Sequence, residues 1–331
     1  MTIAKWAGQR ACLALSGTLL AVSAWAQDLD QVTFGTSWYA QAEHGGFYQA
    51  LATGIYEDYG LDVSIEMGGP QVNGMQLLLA GRIDFNMGYP IGNINAVAED
   101  LPAVTVAASM QGDPQALLAH PWVESFEQMQ AEDLPIYVAT SAHSTFWPWL
   151  KAEFGFTDDD IRPYTFSVAP FLNNENIVQQ GYISSEPFAM MQGGVEPNIF
   201  LFADYGYPAY ATTIETTQRL IDENPDVVRR FVQASMEGWA SYLQDPAPGN
   251  ALIQQDNPEM TDEQIEFGLA QMAEYGLVVG GDAAEMGIGV MTEERWQATY
   301  DFMVEAGLIS ADVDLSKAYT LEFLPDPPVM P

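Results

Sequence analysis

The chain is almost without cysteine and poor in cations. Its one cysteine, Cys12, lies in an apolar run near the amino terminus. Beyond that run there is no thiol, which excludes a disulfide framework, a thiol nucleophile and a thiolate metal site. Lysine and arginine total 10 against 45 aspartates and glutamates, a net charge of -35 over 331 residues. Neutralising phosphates requires cations, so the charge argues strongly against nucleic-acid binding and, for the same reason, against attraction to anionic lipid. The three histidines, His44, His120 and His143, have no metal-ligand spacing. The metalloprotease helix HExxH, the nucleophile elbow GxSxG and the phosphate loop ending GKS or GKT are all absent. After residue 26 no stretch is long and apolar enough to cross a bilayer.

What is present is the material of a large core. Apolar residues make up 48%, with 16 Phe, 15 Tyr and 8 Trp. The length suits two globular units or one large one. Acidic residues are spread along the chain, which reads as a solubilising surface of the kind that suits saline surroundings. The start is different. Lys5 and Arg10 precede an apolar run from Ala11 to Trp25, closed by Ala24-Trp25-Ala26. A basic start, a short apolar middle and a small-x-small end make a cleavable secretory signal, so residues 1–26 are expected to be removed and Gln27 to begin an exported form. Two of the ten cations fall in that leader, so eight remain against 45 acids.

The rest alternates strand and helix. Val32 to Phe34 is β-prone, and Gly46 to Tyr59 has helical spacing, closed by Gly60. Leu61 to Met67 alternates as a strand, Val72 to Ala80 reads as a helix, and Ile83 to Met87 and Val104 to Met110 as further strands. A second series begins near Leu117, with strands at Pro135 to Ala139, Tyr182 to Ser185 and Ile199 to Ala203, and a helix at Phe146 to Phe154. A helical return follows, led by the long helix that starts at Asn224-Pro225-Asp226. Repeated β-α-β units predict parallel sheets with helices on both faces. The expected fold is α/β with two lobes and a cleft between them. Lobe 1 takes residues 27–112 and 206–331, and lobe 2 takes residues 113–205.

In open α/β sheets the loops after the carboxyl ends of the strands line the ligand site. Those loops supply the candidates. After the first strand come Trp38, Tyr39 and His44, two flat rings for stacking and an imidazole for a directed hydrogen bond. After the second come Gln71 and Asn73 beside Gly68-Gly69-Pro70, and after the third Tyr89. In the second series Ser141, Ser144 and Trp147 follow one strand, Glu186 another, and Tyr205 a third. Glu186 can accept a hydrogen bond from an amine or a ring N–H. His143 reads as a surface loop residue.

At these motifs the chain resembles periplasmic solute-binding proteins of ABC transporters. The similar group contains nitrate, sulfonate and taurine binders together with thiamine-precursor binders, and fungal thiamine-pyrimidine synthases share its fold. The resemblance runs through Trp38, His44-Gly45-Gly46-Phe47-Tyr48-Gln49-Ala50, Gly54-Ile55-Tyr56 and Tyr59-Gly60-Leu61-Asp62-Val63. It continues through Gln76 to Gly81, Asp84-Phe85, Ser185-Glu186-Pro187-Phe188 and Asn224-Pro225-Asp226. It implies a type II periplasmic-binding-protein fold that closes on a small solute and delivers it to an inner-membrane ABC permease with its ATPase. It implies a monomer, no cofactor, no metal and no chemistry. In the pyrimidine-binding branch an aromatic and a histidine of the first loop line the pocket, and Trp38 and His44 match them. The implied solute is a planar nitrogen heterocycle, a pyrimidine-type thiamine precursor or a related vitamin. The alternatives are another small solute such as a sulfonate or nitrate, a synthase-like enzyme using His44, and a scaffold with no small ligand. The synthase needs a cysteine-rich iron motif, which this sequence does not have.

Overall fold

The computed structural model describes residues 1–2 and 29–331, apart from 70, 71, 140, 141, 144 and 166. Apart from its first two residues the expected leader lies outside the described residues, as do Gln71, Ser141 and Ser144. Among the described residues ten strands form two five-stranded sheets. The first holds β1 (Asp30–Gly35), β2 (Leu61–Glu66), β3 (Phe85–Gly88), β4 (Ala103–Met110) and β10 (Ala211–Thr217), in the order β2-β1-β3-β10-β4. The second holds β5 (Gln115–Ala119), β6 (Ile136–Val138), β7 (Ile161–Pro163), β8 (Val178–Tyr182) and β9 (Asn198–Leu201), in the order β7-β6-β8-β5-β9.

The sheets are mixed, where the β-α-β pattern predicts parallel ones. β10 runs antiparallel to both β3 and β4, and β5 antiparallel to both β8 and β9. These are the strands that receive the chain from the other sheet. β4 passes directly through Gln111–Pro114 into β5, and β9 returns through residues 202–210 into β10. A strand entering from the opposite lobe runs against its neighbours, and hydrophobic spacing carries no signal of that direction. β10 itself went unread, because ATTIETT is threonine-rich and all of it is buried.

The first sheet packs on the long helix Pro225–Gln244, with Pro225 at its first turn. Phe231 is the centre of that contact. Its ring lies 4.1 Å from Phe85, 5.5 Å from Phe34 and 5.5 Å from Tyr56. Burying one such ring contributes roughly 1.5–3 kcal/mol. The helix Gly45–Ala52 crosses the same long helix with almost no gap. A Cβ on Gly46 would stand 2.2 Å from the Trp239 ring, so only glycine fits there. The expected helix Gly46 to Tyr59 is in fact two, Gly45–Ala52 and Ile55–Asp58, because Gly54 takes φ 76° and turns the chain between them. In the second lobe Phe126, Trp149, Phe154, Phe200 and Phe202 make an aromatic core. The first sheet also buries a polar pair, Asn86 Nδ2 donating to Glu215 Oε2 at 2.7 Å. Among the described residues no helix is long and apolar enough to cross a membrane.

Candidate functional site

The carboxyl ends of β1, β2 and β3 face those of β6, β7 and β8 across a cavity of about 360 Å³, within the range of small-molecule sites. From the first lobe Ser37, Trp38 and Gln41 reach it after β1, Gly69 and Val72 after β2, and Tyr89 after β3. From the second come Gln115 at the start of β5, Ala139 and Thr145 after β6, and Tyr164 after β7. Gln180, Tyr182, Ser185 and Glu186 complete it around the end of β8. The first loop is held by Thr36, whose Oγ1 donates to the Trp38 carbonyl at 2.8 Å and accepts from the Gly68 amide at 3.1 Å. Ser37 is tied to β3 by donating to Met87 Sδ at 3.3 Å. The Trp38 ring rests edge-to-face on Tyr39 at 5.6 Å.

Glu186 lines the cleft at the start of the helix Glu186–Gln192. Its Oε1 accepts from the Tyr164 hydroxyl at 3.1 Å and its Oε2 from the Tyr182 amide at 2.8 Å. Burial pushes its carboxyl above the ordinary carboxylate value, and the hydrogen bonds oppose that. No lysine or arginine is among the described residues that line the cleft. Aromatic faces therefore meet amide, hydroxyl and carboxyl edges in a site without positive side chains. Such a site can stack a flat ring and hydrogen-bond its rim.

Of the candidates named from sequence, the structure brings Trp38, Tyr89 and Glu186 together on the cleft. His44 is placed elsewhere. It is 1% exposed, Nδ1 has no partner, and burial pushes the imidazole down to about 3, so the ring is neutral and enclosed. Its loop turns inward because residues 42–44 form a helical turn leading straight into Gly45–Ala52. Tyr39 is 43% exposed and packs beside Gly69 behind Trp38. Asn73 caps the helix Gly74–Leu79 by accepting from the Gln76 amide. Trp147 is buried on the core face of the helix Phe146–Phe154 and donates to Asp158 Oδ1 at 3.0 Å. Tyr205 packs on Phe126 at 4.8 Å, away from the cleft. His143 is exposed, as read. His120 stacks on Phe171 at 4.2 Å, and its Nε2 meets the Phe171 carbonyl at 2.9 Å. No group of residues that could hold a metal occurs among the described residues.

Sequence reasoning missed Gln41, Gln115, Gln180, Tyr164 and Tyr182. One signal was there: two glutamines interrupt the β-prone run Val178 to Tyr182, where a strand buried on both faces has little use for them.

Two α/β lobes with a cleft at their strand ends define a periplasmic-binding-protein fold of type II. The periplasmic aliphatic sulfonate-binding protein SsuA of Escherichia coli has it, superposing with a TM-score of 0.65 at 15% identity over 91% of this chain and 94% of that one. The chain belongs to the NMT1/THI5-like family, whose model matches residues 41–248. The riboflavin-binding protein RibY of Chloroflexus aurantiacus is 27% identical over 306 residues, covering 90% of this chain and 87% of RibY. The formylaminopyrimidine-binding protein of Halalkalibacterium halodurans is 23% identical over 291 residues, covering 83% of this chain and 87% of that protein.

Proposed function

We propose that this protein is the extracytoplasmic solute-binding component of an ABC importer and carries a small planar nitrogen heterocycle to a membrane permease and its ATPase. The solute is a pyrimidine-type thiamine precursor or a related vitamin such as riboflavin. The observation that carries this reading is the cleft itself, aromatic on its faces, rich in amides and hydroxyls at its edges, and without a cation among its described lining residues. A sulfonate or nitrate needs fixed positive charge or a set of convergent donors, and the buried Glu186 carboxyl opposes both. The two relatives named for flavin and pyrimidine binding support the same class. The enclosed, neutral His44 supports binding without chemistry, since a histidine shut away from the cleft has no substrate to meet. The lobes divide as residues 27–112 with 206–331 and residues 113–205, the leader of residues 1–26 directs export to the periplasm, and the exported form is a monomer.

Calorimetry of the protein lacking its leader tests this. Riboflavin or formylaminopyrimidine should bind saturably with one site, while taurine, nitrate and alkanesulfonates give no heat. Tight sulfonate binding with none by either heterocycle would overturn the reading.

A further inference from the structure

Gln115 and Gln180 are each held by one end of the amide, and by opposite ends. Asp113 stands behind the cleft, 1% exposed. Its Oδ1 accepts from the Gln115 backbone amide at 2.9 Å and its Oδ2 from Gln115 Nε2 at 2.8 Å. A carboxylate only accepts, so Gln115 must give it the nitrogen end, which leaves Oε1 for the cleft. Gln180 is the reverse case. Its Oε1 accepts from the Ala139 backbone amide at 2.6 Å. A backbone N–H only donates, so Gln180 must give it the oxygen end, which leaves Nε2 for the cleft.

The two free ends share one face of the second sheet. Gln115 on β5 sits opposite Tyr182 on β8, and Gln180 is two residues before Tyr182. Side chains two apart on a strand point the same way, and such diagonal neighbours lie about 7–8 Å apart, within reach of two long side chains. Both glutamines line the cleft.

We propose that Gln115 and Gln180 form a fixed acceptor–donor pair that reads the edge of the bound ring, and that Asp113 is the positioning residue that sets the sense of Gln115. This deepens the heterocycle-binding reading and rests on it. The edge recognised carries an N–H donor beside an acceptor atom. The N–H donates to Gln115 Oε1 and the acceptor takes Gln180 Nε2–H. A lactam or imide edge and an aminopyrimidine edge both satisfy it. A ring whose donor nitrogen is fully alkylated does not, and leaves Gln115 Oε1 dry and unpaired, which costs affinity steeply.

The test uses two matched probe pairs, riboflavin with 3-methylriboflavin and 4-amino-2-methylpyrimidine with its 4-dimethylamino analogue. Calorimetry is run at about pH 8.5, where Asp113 is ionised, since burial pushes its carboxyl up to about 7. The parent should bind the N–H member of at least one pair, and the methylated member at least roughly tenfold more weakly. In D113N the new side chain must spend its oxygen on the Gln115 backbone amide, so its NH₂ faces the glutamine. Gln115 then turns end for end and offers a donor to the cleft. The preference for the N–H ring should shrink to less than about threefold or invert. Q180E keeps the Ala139 contact and replaces the free donor with an acceptor, and should weaken the N–H ring by at least roughly tenfold. If D113N does not fold, Q180E and the methylated probes decide. A parent that binds neither ring counts against the heterocycle-binding reading and overturns this proposal with it. A parent that binds one ring, tolerates its methylation and is unmoved by Q180E overturns the edge assignment alone. A D113N that melts earlier but keeps the parent's preference shows Asp113 to be merely structural and overturns its positioning role.

Discussion

Ser184 of the second lobe donates a hydrogen bond from its hydroxyl to Oε1 of Glu43 in the first. Both residues are buried, and Gly268 of the helix Asp262–Glu274 packs against Ala42 and the Ser184 carbonyl beside them. Burial pushes the Glu43 carboxyl from its ordinary 4.5 up to about 7, and the nearby Glu186 pushes in the same direction. Opening the lobes would return Glu43 to water and lower its pKa, so closing takes up a proton. The closed state is therefore favoured below pH 7, and that advantage fades as pH rises from about 4.5 to 7. In the proposed binder that closes on its solute, the Glu43 contribution to affinity should therefore grow from pH 8 to pH 5, a range in which Asp113, also pushed up to about 7, takes up a proton and acts separately through Gln115. Glu43→Gln keeps an oxygen for Ser184 and cannot ionise, so its affinity should vary less across that range. Calorimetry from pH 5 to pH 8 checks this, and an equal slope in parent and variant would refute the link.

Folding stability should follow the same sign for a separate reason. Glu215, buried against Asn86 within the first sheet, is pushed by burial from 4.5 to about 8. Between those values the folded state binds more protons than the unfolded one, so stability falls as pH rises and levels off above about 8. Each pKa unit is worth about 1.4 kcal/mol. Glu215→Gln retains a partner for Asn86 and removes the charge. Its melting temperature should exceed the parent's at pH 8 and match it near pH 4.5, in thermal melts followed by circular dichroism.

The cleft assignment predicts a division between residues that the sequence groups together. Trp38→Ala removes a stacking face and should weaken the identified heterocycle at least roughly tenfold. Glu186→Gln leaves one acceptor where two donors, the Tyr164 hydroxyl and the Tyr182 amide, now find two oxygens. That should cost on the order of tenfold to a hundredfold in affinity, with some loss of stability. Trp147→Phe loses its hydrogen bond to Asp158 in the second-lobe core and should lower the melting temperature while leaving affinity unchanged. Affinity lost in Trp147→Phe without a change in melting temperature would mean the cleft has been drawn in the wrong place.

Much of the frame was legible because its signals are local. Phe146 to Phe154 and the Pro225 helix start were readable from caps and periodicity, and both helices form there. The expectation that strand ends line the cleft led to Trp38, Tyr89 and Glu186, all three of which line it. Direction of β5 and β10 was not legible, because it follows from where the chain has just been. Nor was the fate of His44. Its neighbours Gly45 and Gly46 stand where the first loop meets the expected helix, and in the fold they serve close approach to Tyr242 and Trp239 and draw the histidine into the interior. The glutamine pair escaped for a related reason. The end of Gln180 is assigned by a backbone amide 41 residues distant, a partner that only tertiary structure supplies, and Asp113, though two residues from Gln115, is shown to be buried behind the cleft only by the fold.

One arginine holds both crossings between the lobes. Arg295 Nη2 donates to the Gln111 carbonyl at 2.6 Å, in the first crossing, and to the Pro208 carbonyl at 3.4 Å, in the second. Its guanidinium lies 3.8 Å over the Tyr210 ring, and the Tyr210 hydroxyl accepts from the Thr292 amide at 3.0 Å. A planar fork can serve two carbonyls and an aromatic face together, which an ammonium cannot. Arg295→Met keeps the apolar stem and loses these contacts, so it should destabilise by about 2–3 kcal/mol. Arg295→Lys should fall between. With the crossings released, the lobes should sample wider separations, seen as a larger radius of gyration in solution scattering without ligand. Affinity should drop for both variants because a smaller fraction of molecules is poised to close. Parent-like scattering and affinity in Arg295→Met would show that the crossings hold their geometry without this residue.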